Sequence, residues 1–536
     1  MGRNQLKKIL YRNVGGIRQL LGDQILNYFV SHEKNLGADA DALLDALIGA
    51  MSSELLNDPS LRRLLFASLE PQWLNHLANL LNVATAGLRP AQVAERVANQ
   101  FELIESVRNF FKETLQLDEL LPAEDVPRGK ANAEGVFEPH PMSSDYFELH
   151  LYQAELKDKI VEAVRESSDT KMLVRVPTGG GKTRIGLHSV FALHNFQFKP
   201  GDLTLWLAYQ PVLLEQAHET ALKIFPTLGK ISMQFHRIDS SNKIEFSDDS
   251  GILFANPTTL NRVDRAVLER LRSRTRMVVF DETHQIVAAN AFEFINKLTF
   301  ENTNAAVLGM TATPARADLG LESMKLARFF GPKFDISVPQ KDVVIGDSKD
   351  VDEISRERNA IRYLQEIKIL AKLREERHFV DCGDLGIEHP DRTKKIIDLC
   401  EKYSSQGKKM LVFAENVQDA RALSFLLNLK CIPNGLVLGS NKQSRQGFID
   451  SYRKTDTMNI LISVDVLTTG FDAPETNILL IARKTGSAVL FCQILGRALR
   501  GPKNKGHEEN LILHVTDPAF EWASLYETFT DYMRYR

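Results

Sequence analysis

Two short stretches of this chain hold residue types that can do phosphate chemistry. The first is Pro177-Thr178-Gly179-Gly180-Gly181-Lys182-Thr183, between the β-type run MLVRV and the helical run IGLHSVFALH. Glycines at a strand-to-helix turn let backbone N–H groups surround phosphate oxygens, and the helix start favours the anion. A lysine there reaches β- and γ-oxygens, and the adjoining hydroxyl suits Mg²⁺. The general pattern has a glycine six residues before the lysine, where this chain has Val176. The second stretch is Asp281-Glu282-Thr283-His284, at the end of the run RMVVF and 99 residues after Lys182. Acids at the carboxyl end of a parallel strand sit where ligands bind in open α/β sheets. Asp281 is expected to hold Mg²⁺, and Glu282 to orient and deprotonate an attacking water. Together the two stretches predict hydrolysis of a nucleoside triphosphate, with ATP and Mg²⁺ bound.

The elements around these stretches predict an α/β architecture. MLVRV, LTLWLA, GILFA, RMVVF and AAVLGM each end at a polar or Gly/Pro-rich loop and alternate with helical segments. That order argues for a parallel sheet with crossover helices. A second series, KMLVFA, GLVLG, MNILISV, NILLIA and LILHV, follows a charged helical segment, DEISRERNAIRYLQEIKILAKLREER. Upstream the pattern is helical. Leu20, Leu21, Ile25 and Phe29 recur at helical spacing, as do Leu43, Leu44, Leu47 and Ile48. Val93, Val97, Phe101, Ile104, Val107 and Phe110 predict one long helix, and Asp58-Pro59-Ser60 and Arg89-Pro90 read as helix starts. Residues 121–145, with four prolines and many charges, read as a linker. The expected organisation is therefore a helical domain (1–120), a linker (121–145), a first α/β domain (146–330), a connector (331–390) and a second α/β domain (391–536).

Composition narrows the class. The chain has 536 residues, of which 43% are hydrophobic and 25% charged, so wholesale disorder is excluded. Net charge is -3, which excludes a basic nucleic-acid glove over the whole chain. Residues 1–150 carry 14 Lys and Arg against 20 Asp and Glu, so the helical part is the more acidic. The cysteines, Cys382, Cys400, Cys431 and Cys492, lack C-x-x-C spacing and predict neither a disulfide framework nor a zinc site. The opening MGRNQLKKIL has no apolar signal core, and Leu6 replaces the hydroxyl residue of a myristoylation start. No apolar run of membrane-spanning length occurs, so the expectation is a cytoplasmic protein with no membrane contact.

With the phosphate loop and acidic strand end in hand, residues 145–520 resemble a superfamily 2 DExH-type helicase or translocase. Leu151-Tyr152-Gln153 resembles the adenine-contacting motif, LWLAYQPVLLEQA (205–217) motif Ia, and ILFANPTTL (252–260) the next DNA-contacting motif. DETH is similar to motif II, GMTATP (309–314) to motif III and KMLVFAENVQDA (409–420) to motif IV. SVDVLTTGFDAP (463–474) is similar to motif V and QILGRALR (493–500) to motif VI. The last motifs look closest to restriction- and repair-type cores. The resemblance implies two RecA-like domains facing each other across an ATP cleft, preceded by the all-α domain. It implies that Gln153, Thr178, Gly179, Gly180, Gly181, Lys182, Thr183, Gly470 and Asp472 bind nucleotide, with Thr183 and Asp281 on the metal. Glu282, Arg497, Arg500, Gln493 and His284 are the implied catalytic set, Arg500 being the arginine finger. Such an arginine offsets charge spreading over the γ-oxygens, an effect worth about 10³–10⁵ in rate. Thr311 and Thr313 are implied to relay nucleotide state to motif II. Pro211, Gln216, Pro257, Thr258 and Thr468 are the implied nucleic-acid contacts, mostly to backbone. Asn256 stands where many relatives have threonine.

The implied activity is ATP-driven translocation, with unwinding as a further step, on DNA rather than RNA. It fits a larger restriction, repair or phage-defence system, with a partner protein docking on residues 1–120. Two alternatives stay open: an ATP-switched regulatory or scaffolding subunit, and an RNA remodeller. Glu366-Ile367-Lys368 matches a nuclease fragment but lies in a charged helical stretch, and reads as a solvated face. The histidines show no close metal-ligand spacing, and Trp206 and Phe491 read as packing.

Overall fold

The computed structural model describes residues 2–33, 39–51, 55–56, 58–117, 120–121, 135–139, 148–238, 247–283, 305–312, 328–330, 335–338, 353–439, 442–454, 458–467, 473–483, 494–497 and 499–516. The N-terminal part is helical: α1 (Gly2–Tyr11), α2 (Val14–His32), α3 (Ala40–Met51), α4 (Pro59–Ser68), α5 (Pro71–Leu80), α6 (Pro90–Asn99) and α7 (Glu105–Asn109). Asp58 starts α4 as read from sequence, its carboxylate accepting from the Ser60 and Leu61 amides at 2.8 and 3.1 Å. The long helix expected from Val93 to Phe110 is broken instead. It ends at Gln100 and restarts at Glu105, followed by a π-helical turn over Phe110–Thr114. The break turns Phe101 onto Phe66, with ring centroids 5.3 Å apart, and under the Arg62 guanidinium at 5.2 Å. Tertiary packing of one aromatic thus overrides the helical period.

The first α/β lobe contains β1 (Gly135–Phe137), α8 (Leu151–Glu166), β2 (Lys171–Arg175), α9 (Lys182–Phe196), β3 (Leu203–Leu207), α10 (Pro211–Leu228), β4 (Met233–Ile238) and β5 (Gly251–Ala255). It continues with α11 (Pro257–Leu260), α12 (Arg265–Arg274), β6 (Thr275–Asp281), β7 (Ala306–Thr311) and β8 (Asp335–Ser337). The strand order is β1-β4-β5-β3-β6-β7-β2-β8, all parallel apart from β1. Strands β3 and β5 are buried along their whole length, as a sheet covered on both faces requires. Trp206 lies in that core with no exposed surface. Strand β4 was not evident in the sequence, because MQFHRI carries polar residues at three of its six positions.

The second lobe opens with α13 (Glu353–Glu366) and β9 (Lys372–Phe379). The charged segment expected to be helical throughout therefore changes to strand part-way. Lys368 adopts a positive φ of 62°, which ends the helix, and Ile369 and Leu370 turn into the first lobe's core. KLREERHF then forms a sheet edge, where its charges face water. The lobe continues with α14 (Pro390–Ser404), β10 (Met410–Ala414), α15 (Val417–Leu429), β11 (Asn434–Val437), α16 (Lys442–Lys454), β12 (Ile460–Ser463), β13 (Ile478–Ala482) and β14 (Glu509–Thr516). Its order is β11-β12-β10-β13-β14-β9, all parallel.

The helical part and the second lobe share one continuous apolar core, in which Leu21, Phe29 and Leu47 lie with Ile396, Leu423 and Phe425. A buried polar network crosses this seam. The Gln24 side-chain amide donates to Asp419 Oδ1 at 2.7 Å and to Thr393 Oγ1 at 3.2 Å. Asp419 also accepts the Arg392 fork, both bonds at 3.1 Å, and the Glu415 amide at 3.0 Å. A second tie joins Arg421 to Asp58 and Ser60 at 2.8 and 2.9 Å. No helix among the described residues is long and apolar enough to cross a membrane.

Candidate active site between the two lobes

The phosphate loop is built from one strand and clamped by one helix. Strand β2 delivers Val176, whose amide bonds the Thr311 carbonyl at 3.2 Å, and the loop closes with Gly180 N on Pro177 O at 2.9 Å. Gly179 and Gly181 adopt φ values of 91° and 81°, which side chains rarely tolerate. A Cβ at Gly180 would lie 2.4 Å from Val176 Cγ1, and one at Gly181 2.4 Å from Gln153 Nε2. Val176 therefore packs under the loop in place of the expected glycine. The Gly180 carbonyl accepts Tyr152 Oη at 2.7 Å and Gln153 Nε2 at 3.0 Å, while Gln153 Oε1 accepts the His150 amide at 3.0 Å. Gln153 is buried and its side chain supports the loop. Tyr152 is a site residue that the sequence did not single out; its signal was its place beside Gln153 at the start of α8.

Helix α9 begins at Lys182 directly after the loop, so the first-turn amides and the lysine share one anion-binding end. Strand β6 ends at Asp281, on the same edge of the sheet. Lys182 Nζ stands 3.6 Å from Glu282 Oε1, with both side chains largely buried. Thr183 Oγ1 bonds Asp281 Oδ2 at 3.4 Å. The Asp281 carboxyl is pushed up to about 7, by burial first and by the Glu282 carboxylate second. A buried acid of this kind beside a hydroxyl is a hard oxygen donor set that a divalent cation would satisfy, so the residues fit Mg²⁺. Glu282 has a φ of 56°, a left-handed conformation that costs about 1–3 kcal/mol outside glycine and turns its side chain off the strand line. Thr283 Oγ1 donates within reach of Phe280 O at 3.1 Å and Met310 O at 3.0 Å, tying the acidic motif to β7. Thr311 ends β7, and Thr313 lies outside the described residues.

The second lobe reaches the loop directly. Arg500 Nη1 donates to Gly179 O at 2.8 Å. A Cβ at Gly496 would lie 2.2 Å from Thr178 Cγ2, so the two lobes touch where motif VI has its glycine. Leu370 and Leu499 join the first lobe's core, and Leu370 bridges to Arg500. Arg497 is half-buried one turn before Arg500. His284, Gly470, Asp472, Thr468 and Gln493 lie outside the described residues, as does Phe491.

Pro211 is exposed at the start of α10 and Gln216 half-buried within it. Pro257 is buried, so its ring is not a surface for nucleic acid; Thr258 beside it is half-buried. Asn256 caps α11 through the Thr258 amide at 2.8 Å and donates to Tyr209 O at 2.7 Å. Its side chain is thus engaged in joining these two segments.

The family model for the Type III restriction enzyme res subunit matches residues 146–316, and that for the helicase conserved C-terminal domain matches 391–502. Together they cover more than half of the chain, in the order the motifs require. The two matches in tandem make the chain similar to superfamily 2 helicases of the restriction and repair types. A Saccharomyces cerevisiae protein carrying the helicase name IRC3 is 26% identical over 67% of this chain and 50% of its own length. The DNA 3'-5' translocase XPB2 of Sulfurisphaera tokodaii is 21% identical over 70% of this chain and 83% of its own. The chain spans about half the length of several curated relatives it matches. The ATP-dependent Type ISP restriction-modification enzyme LlaBIII bound to DNA superposes with a TM-score of 0.50 at 15% identity, covering 74% of this chain and 30% of that one. That likeness is one of fold: two RecA-like α/β lobes. The helical N-terminal region completes the architecture expected from the sequence.

Proposed function

We propose that this chain hydrolyses ATP between its two lobes and uses the cycle to move along DNA. The observation that carries the reading is Arg500 reaching across to the phosphate loop, 2.8 Å from Gly179 O. Lys182 and the α9 amides hold the β- and γ-phosphates, and Thr178, Gly179, Gly180, Gly181 and Thr183 shape their cradle. Thr183 and Asp281 would hold Mg²⁺, which would supply neutralisation of phosphate charge. Glu282, 3.6 Å from Lys182, orients a water for attack and takes its proton. Arg500, with Arg497 beside it, stabilises charge on the leaving oxygens. Gln493, His284, Gly470 and Asp472 serve the same cleft by family position. Closure that depends on the γ-phosphate and reopening after hydrolysis would move one lobe against the other.

Nucleic acid is held across both lobes, with Pro211, Gln216, Thr258 and Thr468 as backbone contacts. The DNA preference rests on relatives named as DNA translocases and on a restriction-type family match. Those names also favour work within a restriction or repair system. The helical region travels with the second lobe, because the two share a core, and its outer face is left for a partner protein. The test is steady-state ATP hydrolysis without nucleic acid, with single- and double-stranded DNA and with RNA, paired with triplex displacement. Stimulation by DNA with displacement supports the reading. Hydrolysis indifferent to every nucleic acid would remove it, and stimulation by RNA alone would replace it with RNA remodelling.

A further inference from the structure

The two inner carbonyls of the phosphate loop are held from different lobes. Gly180 O is held from the first lobe by Tyr152 and Gln153. Gly179 O is held from the second by Arg500 at 2.8 Å and by Asn504 Nδ2 at 3.4 Å. Asn504 has no role in the motifs read from the sequence. It lies in the short 3₁₀ turn Pro502–Asn504 that follows Arg500. That turn is pinned to the connector, with Gly501 N on Ile369 O and Lys503 N on Lys368 O, each at 3.0 Å. The same Asn504 amide donates to Ile369 O at 3.1 Å. One carboxamide thus joins the phosphate loop to the connector.

We infer that Asn504 is a positioning residue for ATP hydrolysis, holding Gly179 and the connector in the register that sets Arg500 on the phosphate loop. The chemistry of the side chain fits the place. Its two N–H donors suit two backbone carbonyls. Aspartate has the same shape, but its charged oxygens would face both carbonyls and donate to neither. Because Asn504 belongs to the second lobe, it acts on the closed arrangement and leaves nucleotide affinity of the first lobe alone.

The inference rests on the reading of the cleft as an ATPase site, and the experiment separates the two. ATP turnover with saturating DNA is measured for the wild-type chain, Asn504→Asp and Asn504→Ala. Binding of fluorescent ADP and the unfolding midpoint are measured alongside. We expect Asn504→Asp to lower kcat about tenfold or more, the scale of one lost hydrogen bond in the closed state. ADP affinity and unfolding midpoint stay at wild-type values. Should Asn504→Asp fold poorly, Asn504→Ala reads the same split between kcat and ADP binding. Wild-type kcat in a folded Asn504→Asp or Asn504→Ala variant overturns the inference alone. Equal loss of kcat and ADP affinity also overturns it, showing a general structural role. Absence of turnover in the wild-type chain overturns the ATPase reading and the inference with it.

Discussion

Replacing Gln24 by leucine tests how firmly the helical region is bound to the second lobe. Gln24 is buried and gives Asp419 a 2.7 Å hydrogen bond across the seam. Leucine has a similar volume but cannot donate. Asp419 would keep the Arg392 fork and the Glu415 amide, so its charge stays paired. The loss is then that of one hydrogen bond to a charged group, about 1.5–3 kcal/mol, and of the weaker bond to the Thr393 hydroxyl, about 0.5–1.5 kcal/mol. Asp419→Ala is more severe, because it strands a guanidinium whose side chain is only 7% exposed. Removing one member of such a pair costs about 3–5 kcal/mol. Both changes delete the same seam contact, so the double variant should cost less than the sum by about 0.5–3 kcal/mol. Amide hydrogen exchange on α2 reads the local opening free energy directly. We expect protection of α2 to fall by the amounts above while protection of β2 and β6 is unchanged. Exchange in Gln24→Leu within about 0.5 kcal/mol of wild type would refute the network as a seam.

Further outcomes follow from the cleft and the cores. Gly496→Ala should force the lobes apart at Thr178, since the new Cβ would meet Thr178 Cγ2 at 2.2 Å and Cβ at 2.6 Å; we expect kcat/KM for ATP to fall about tenfold or more, with partial recovery on adding Thr178→Ser, and kinetics that ignore the methyl would argue against contact there. Burial lowers His188 and His218 to about 4 and His194 to about 3. Below the unfolded value near 6.5 the unfolded chain takes up protons that the folded chain refuses, so their contribution is present above about 6.5 and falls as pH drops toward the folded values. The slope is about 1.4 kcal/mol per pH unit for each group, and His218→Gln should reduce the acid sensitivity of urea midpoints between these limits; an unchanged slope would count against a neutral buried imidazole.

The site was more legible than the scaffold that carries it. Lys182, Thr183, Asp281 and Glu282 stood out because phosphate chemistry restricts both residue type and position relative to strand ends, and the structure brings them together. Arg500 was legible through its motif, and it reaches Gly179. Other features were hidden for physical reasons. Pro257 is an expected nucleic-acid contact, but its side chain is buried. The charged segment before residue 377 has the composition of a solvated helix, and only the left-handed Lys368 ends it before the edge strand. Most of all, periodicity showed that residues 1–120 are helical but not where their apolar faces are buried. Long-range contacts such as Gln24 with Asp419 leave no local signature. Asn504 escaped notice likewise, because its role depends on three segments meeting in space.

The central claim is that an arginine from one lobe completes an ATP site on the other. Turnover with saturating ATP and DNA, compared between wild type, Lys182→Ala and Arg500→Ala, tests it most directly, with ADP binding measured on the same samples. We expect Arg500→Ala to retain ADP binding and to lose about 10³-fold or more in kcat, while Lys182→Ala loses binding as well. Arg500→Ala turning over within a few-fold of wild type would contradict it.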